Sequence, residues 1–224
     1  MTGEQLPDSP GSRKTALLVV DMISDFEFED GEILFERTMP IVQSLANLKR
    51  RLKSKKVPIV YVNDELGSGR DRLTHDLEEL ELRSEKAAEI LAWIRPEKGD
   101  HWIVKPQRSG FYGTPLGSLM LSLGVDSAVV TGVTTDICVL FTAHDAYMRG
   151  YSVNVPSDCS TAVELSHHDE ALRFLSRVAK ADVSPSTSDR WNEFFEKDEA
   201  YGESSNGSGS MGANANLALS PALI

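Results

Sequence analysis

The chain has 224 residues with 34 acidic against 23 basic side chains, a net charge of −11, which argues against a nucleic-acid partner because phosphate binding calls for clustered lysine and arginine. Hydrophobic residues at 41% and charged residues at 25% are the balance of an ordinary globular domain with a full core. Two cysteines, no apolar run near the roughly 20 residues that span a bilayer, and no apolar segment within Met1–Thr15 to act as a signal peptide point to a cytoplasmic protein with free thiols and no membrane partner.

Ala16–Asp21 is an apolar run closed by an acid and reads as a buried strand. Pro40–Lys56 reads as a helix, because Ile41, Leu45, Leu48 and Leu52 recur at helical spacing and the last turn is basic. Pro58–Asn63 is a second strand. Ser84–Ile94 is a helix with Ser84 placed to cap it, and Trp102–Lys105 is a short third strand. Thr114-Pro115 sets a capping hydroxyl before a proline at the first helical position, and that helix stops at Gly124. Asp126–Thr131 follows as a fourth strand, Cys138–Arg149 as a helix ended by Gly150, and Tyr151–Val155 as a fifth strand. Ser166–Lys180 is the last clear helix, after which Ala181–Val183 opens a sixth strand.

Strands alternating with helices across short links define the α/β class: a three-layer α/β/α domain around a parallel sheet of five or six strands. Residues 1–13 read as a flexible arm, 14–184 as the domain, and 185–224 as a tail, acidic and then Gly/Ser/Asn-rich. Within the tail Glu203–Asn216 has too few apolar residues to offset the entropy of ordering it, whereas Trp191–Tyr201 has the composition of a short helix and Leu217–Ile224 is mildly apolar.

Ligands of an open parallel sheet bind beyond the carboxyl ends of its strands. Asp21 closes the first strand, Lys105 closes the third, and Cys138 follows the fourth, so this topology gathers an acid, a cation and a thiol on one rim. Asn63 and Asp64 close the second strand and face the same crevice. A thiol at a helix start meets free backbone N–H groups and the positive end of the dipole, and both favour the nucleophilic thiolate. Each residue also has a plain structural role open to it: free cysteine is among the most buried residue types, a strand-end aspartate caps turns, and a strand-end lysine is usually solvated. Gly67-Ser68-Gly69 lacks the third glycine and the setting of a dinucleotide loop, so no cofactor is expected.

Four segments carry a family likeness: Ala16–Phe26 (ALLVVDMISDF), Val57–Asp64 (VPIVYVND), Ile103–Thr114 (IVKPQRSGFYGT) and Val129–Ala146 (VVTGVTTDICVLFTAHDA). On these the chain resembles the isochorismatase-like cysteine hydrolases, which include nicotinamidase, N-carbamoylsarcosine amidohydrolase and ureidoacrylate amidohydrolase. The resemblance implies that Asp21 is the general base and acid, Lys105 the cationic third member and Cys138 the nucleophile. It also implies a cis peptide at Val133–Thr134, turning the N–H of Thr134 toward that of Cys138 as an oxyanion hole. Phe26, Phe111 and Tyr112 would then form an aromatic pocket wall, with core packing as the alternative. Arg108 would hold an anionic group of the substrate or make a surface ion pair.

Two departures from the family pattern stand out. Ile23 and Ser24 replace the Gln-Asn pair common after the first aspartate. Nicotinamidases follow the second strand with Asp-x-His, whereas Asp64-Glu65-Leu66 has no such histidine and the next is His75, so no metal site is expected. The expected activity is hydrolysis of a C–N bond in a small amide, ureido or carbamoyl compound, by a homo-oligomer of two or four subunits. The alternatives are a vinyl ether hydrolase, whose relatives typically lack the cysteine, and a non-catalytic binding or scaffold domain.

Overall fold

Every residue of β1 (Thr15–Val20) is buried, because the strand runs down the middle of the sheet and is covered on both faces. Its side chains alternate. Leu17 and Val19 join one core cluster, and Ala16, Leu18 and Val20 join the other, as the twofold period of a strand requires. The computed structural model describes residues 14–66 and 73–192.

The elements are β1, α1 (Gly31–Ser54), β2 (Ile59–Asn63), α2 (Leu73–Arg83), α3 (Glu85–Ile94), β3 (His101–Val104), α4 (Leu116–Ser122), β4 (Ser127–Val133), α5 (Leu140–Met148), β5 (Ser152–Asn154), β6 (Ser160–Thr161) and α6 (Leu165–Val178). The sheet has six strands in the order β3-β2-β1-β4-β5, all pairs parallel, with β6 pairing β4 beyond β5. This is the expected three-layer α/β architecture. The chain winds outward from β1 through β2 to β3, then returns to the other side with β4. The winding therefore reverses between β1 and β4, and the crevice at such a switch point is where ligands of this fold class bind.

Several elements differ from expectation. The first helix begins at Gly31 and runs through Pro40. Pro40 and Glu36 both lie on its exposed face, where water can serve the carbonyl that the proline leaves without a donor. Leu73–Arg83, a stretch without an element assigned from sequence, forms α2. The sixth strand is Ser160–Thr161, and Ala181–Val183 contributes only an isolated bridge from Asp182 to Asn154. Ser84 caps α3 as expected, its hydroxyl accepting from the N–H of Ala87 at 3.2 Å.

The domain also runs past the boundary at 184. Trp191 is fully buried in the α1–α3 cluster. Arg51 of α1 donates to the Ser186 carbonyl at 3.2 Å and to Asn192 Oδ1 at 2.9 Å, and Asp158 accepts from the N–H and hydroxyl of Ser186, both at 2.7 Å. The arm at 1–13, the glycines at 67 and 69 and the tail from 193 lie outside the described residues. Among the described residues no helix is long and apolar enough to cross a membrane.

Candidate active site

Gly132 brings the two halves of the site together. It sits at φ 113° near the end of β4, and a Cβ there would lie 1.9 Å from the carbonyl oxygen of Val20. Only glycine fits such a close approach. Immediately beyond it the chains diverge, one carrying Asp21 and the other Cys138. Asp21 takes the left-handed conformation at φ 50°, a state that aspartate tolerates better than most residues, while its N–H still donates to the Val62 carbonyl at 2.9 Å. The backbone thus leaves the sheet at Asp21 with its start still registered.

Cys138 lies in a five-residue π-helical turn, Thr135–Val139, which precedes α5. Such wider turns recur at functional sites. The Val133–Thr134 peptide bond is cis, and the Thr134 carbonyl accepts from the N–H groups of Ile137 and Val139 at 3.2 and 3.1 Å. The sequence reading placed Cys138 at an α-helix start with a thiolate-favouring field. Here the turn buries it to 8% exposure and its thiol pKa is pushed up to about 12, first by burial and then by the charge of Asp21, with Lys105 acting in the opposite direction. The direction of this shift is opposite to the one expected from a helix start alone.

Lys105 is buried, and its ammonium donates to Asp21 Oδ2 and Asp64 Oδ1, each at 2.8 Å. Burial works against its charge, but the two carboxylates outweigh burial and raise its pKa. Asp21 is shifted upward by burial, only partly offset by Lys105. Its second oxygen, Oδ1, is buried without a hydrogen-bond partner of full geometry, and the Cys138 thiol interacts with that same carboxylate. One oxygen of Asp21 is tied to a cation and the other is free to take a proton.

A cavity of about 460 Å³ opens beside this pair. Asp21, Phe26, Asn63, Asp64, Arg108, Thr134 and Cys138 all line it. Lys105 does not; it stands behind the two aspartates. Phe26 is buried at the wall with φ 58° and packs edge-on against Phe35 of α1. Asn63 faces the crevice as expected, but its amide accepts from the N–H of Ile23 at 3.2 Å and donates to the Ile23 carbonyl at 2.8 Å. It anchors the Asp21 loop from the cavity wall. Asp64, with a side chain 74% exposed, spends one oxygen on Lys105.

Phe111 and Tyr112 do not line the cavity. Phe111 is buried in the α4–α6 cluster under Arg149 and stacked on Tyr151, and Tyr112 is exposed. Their loop is fixed to α5 by the N–H of Gly110 donating to Thr142 Oγ1 at 2.9 Å, which turns the aromatic pair away from the crevice. The wall instead includes Leu34, Leu80 and Val163, apolar residues that carry no signal in the sequence to set them apart from core positions. Arg83 also lines the cavity and pairs with Asp25 at 3.4 Å, whereas Arg108 is exposed at the rim. Among the described residues, three side chains able to share a metal ion meet at His75, Asp76 and Glu79 of α2, and none of them lines the cavity.

Fold and site together define a doubly wound α/β domain with an acid, a lysine and a thiol at its switch point. The model of the isochorismatase domain matches residues 15–186, and the chain belongs to the isochorismatase family, a family of hydrolases. It is 37% identical over 169 residues to the uncharacterized isochorismatase family protein YaaI of Bacillus subtilis, covering 75% of this chain and 92% of that one. It is 28% identical over 171 residues to the ureidoacrylate amidohydrolase RutB of Methylorubrum extorquens, covering 65% and 69%. The crystal structure of N-carbamoylsarcosine amidase from Thermoplasma acidophilum superposes with a TM-score of 0.60 at 29% identity, over 78% of this chain and 98% of that one.

Proposed function

We propose that the protein is a cysteine hydrolase that cleaves a C–N bond of a small amide, ureido or carbamoyl compound through a thioester on Cys138. The observation that carries this reading is the shared carboxylate of Asp21, which Lys105 holds through Oδ2 at 2.8 Å and which also interacts with the Cys138 thiol. Relatives named as an amidohydrolase and an amidase support the same bond type.

The protonated thiol sets the order of events. Ionising it before attack is costly, at about 1.4 kcal/mol for each unit between its pKa and the ambient pH. The proton therefore passes to Asp21 Oδ1 as the sulfur attacks the carbonyl carbon. The oxyanion so formed is received by the N–H groups of Thr134 and Cys138. Asp21 then gives the proton to the departing nitrogen, the C–N bond breaks, and the acyl group remains on sulfur. In the second half Asp21 takes a proton from water, hydroxide attacks the thioester, and the proton returns to sulfur. Lys105 acts through Asp21, keeping it anionic in a buried setting at the start of each half.

Arg108, exposed on the cavity rim, forms no ion pair among the described residues and is the side chain available to an anionic group of the substrate. The two free thiols support a cytoplasmic setting. Exposed Phe141, Tyr147 and Met148 on α5 support a homo-oligomer, a dimer or tetramer, for which light scattering should return at least twice the chain mass. The functional test is ammonia release from a panel of small amides, ureido acids and carbamoyl amines, with a vinyl ether included. Cys138-dependent ammonia from at least one nitrogen compound supports the reading, and turnover of the vinyl ether alone overturns it.

A further inference from the structure

The turn that carries Cys138 is clamped from outside the cavity. Thr135, its first residue, is fully buried, and its hydroxyl lies 2.8 Å from Nδ1 of His168 on α6. The neighbouring His167 reaches Asp136, the next residue of the turn, at 3.7 Å. Two consecutive residues of the first turn of α6 thus face two consecutive residues of the nucleophile turn. The α6 end is itself fixed, since the Glu164 carbonyl accepts from the N–H groups of His167 and His168 at 3.0 and 3.2 Å. Neither histidine lines the cavity, and nor does Thr135.

We propose that His168 is a positioning residue for the nucleophile: by accepting the Thr135 hydroxyl proton at Nδ1 it pins the π-helical turn to α6 and holds Cys138 against Asp21. Burial lowers the His168 pKa, with Asp169 and Asp136 opposing, which favours the neutral ring, and Nδ1 accepts in the tautomer that carries its proton on Nε2. Thr135 Oγ1 would otherwise be a buried hydroxyl with its donor unspent, a costly state. The turn lacks the side-chain cap that commonly fixes a helix start, and the Thr135–His168 bond takes over that office from a different helix. Placement is critical here, because a shift of about 1 Å in a reacting group costs on the order of a hundredfold in rate.

The inference rests on Cys138 being the nucleophile but on no particular substrate, so it is tested with p-nitrophenyl acetate, whose acylation of Cys138 releases p-nitrophenol. The Cys138-dependent rate is the difference from Cys138→Ala. His168→Ala is expected to slow acylation at saturation about tenfold, with half-saturation changed less than about twofold. His168→Asn, which places an acceptor near the Nδ1 position, should recover to within about threefold of the parent rate. Thr135→Val should match His168→Ala, and the double variant should be no slower than either single, the signature of one shared interaction. If His168→Ala does not fold, Thr135→Val read against Thr135→Ser, which keeps the hydroxyl, decides the same question. A parent rate in His168→Ala or Thr135→Val, a loss in His168→Asn as large as in the alanine variant, or additive losses would overturn the proposal. Absence of any Cys138-dependent release would overturn the nucleophile assignment and this proposal with it, whereas release without turnover of any amide would overturn only the substrate class.

Discussion

The two cysteines of this protein make a natural pair of opposites. Each follows a strand of the sheet in a short turn that is not α-helical, Cys138 after β4 and Cys159 after β5. Each is a buried free thiol beside an aspartate. In both, burial is the largest influence and the neighbouring carboxylate adds to it, so both thiol pKa values are raised. The difference lies in what the aspartate is doing. Asp158 already accepts two hydrogen bonds from Ser186 and serves to tie down the chain leading to Trp191. Asp21 has one oxygen on Lys105 and no competing hydrogen bond to the chain on the other, and Cys138 lines the cavity whereas Cys159 is fully buried. A buried thiol next to an acid is inert; it becomes a candidate nucleophile when the acid has an empty lone pair, a cation behind it and space in front.

The sharpest way to break this contrast is to remove the sulfurs one at a time. Cys138→Ala should abolish amide turnover, a fall of at least about a thousandfold in kcat. Cys159→Ala should leave kcat/KM within about twofold and lower stability by about 1–2 kcal/mol, read from the denaturation midpoint. Asp21→Asn should reduce kcat by about 10²–10⁴, the span of a lost general base. In the parent enzyme the acid limb of kcat/KM should lie above the ordinary aspartate range, because burial raises the Asp21 pKa and activity is lost as pH falls through it. No alkaline limb should come from Cys138 in the neutral range, since its thiol is raised to about 12. The Cys159 side of the contrast is probed through the segment it anchors. Trp191→Ala should cost about 3–5 kcal/mol, and a chain cut after Asp189 should show a comparable loss in melting temperature with little change in kcat per folded molecule.

Much of this was readable from residue types alone. Continuous apolar runs located β1, β2 and β4, and their ends located Asp21, Asn63, Asp64 and Cys138, because a parallel sheet with its switch point between β1 and β4 leaves little choice of where the ends meet. What was hidden depended on tertiary packing. Pro40 looks like a helix start because its lost hydrogen bond is a local property, while the exposed face that tolerates it is not. The two-residue strand β6 is too short to carry a period. Phe111 and Phe26 have the same chemistry in the sequence, and tertiary packing puts them in different core clusters. Trp191 was assigned to a tail by the company it keeps, since composition averages over a window and one buried indole is lost in it. The place of Cys138 at a helix start is legible in the sequence, whereas its burial and the carboxylate of Asp21 beside it, which together raise the thiol pKa, depend on the fold.

The account stands or falls on a thioester at Cys138. The direct measurement is rapid-quench mass spectrometry of the enzyme during turnover of a substrate found in the ammonia panel, with the peptides mapped. The expected result is an added mass equal to the acyl portion of the substrate on the peptide containing Cys138 and none on that containing Cys159, with the adduct absent in Asp21→Asn. An adduct on Cys159, or undiminished ammonia release by Cys138→Ala, would contradict it.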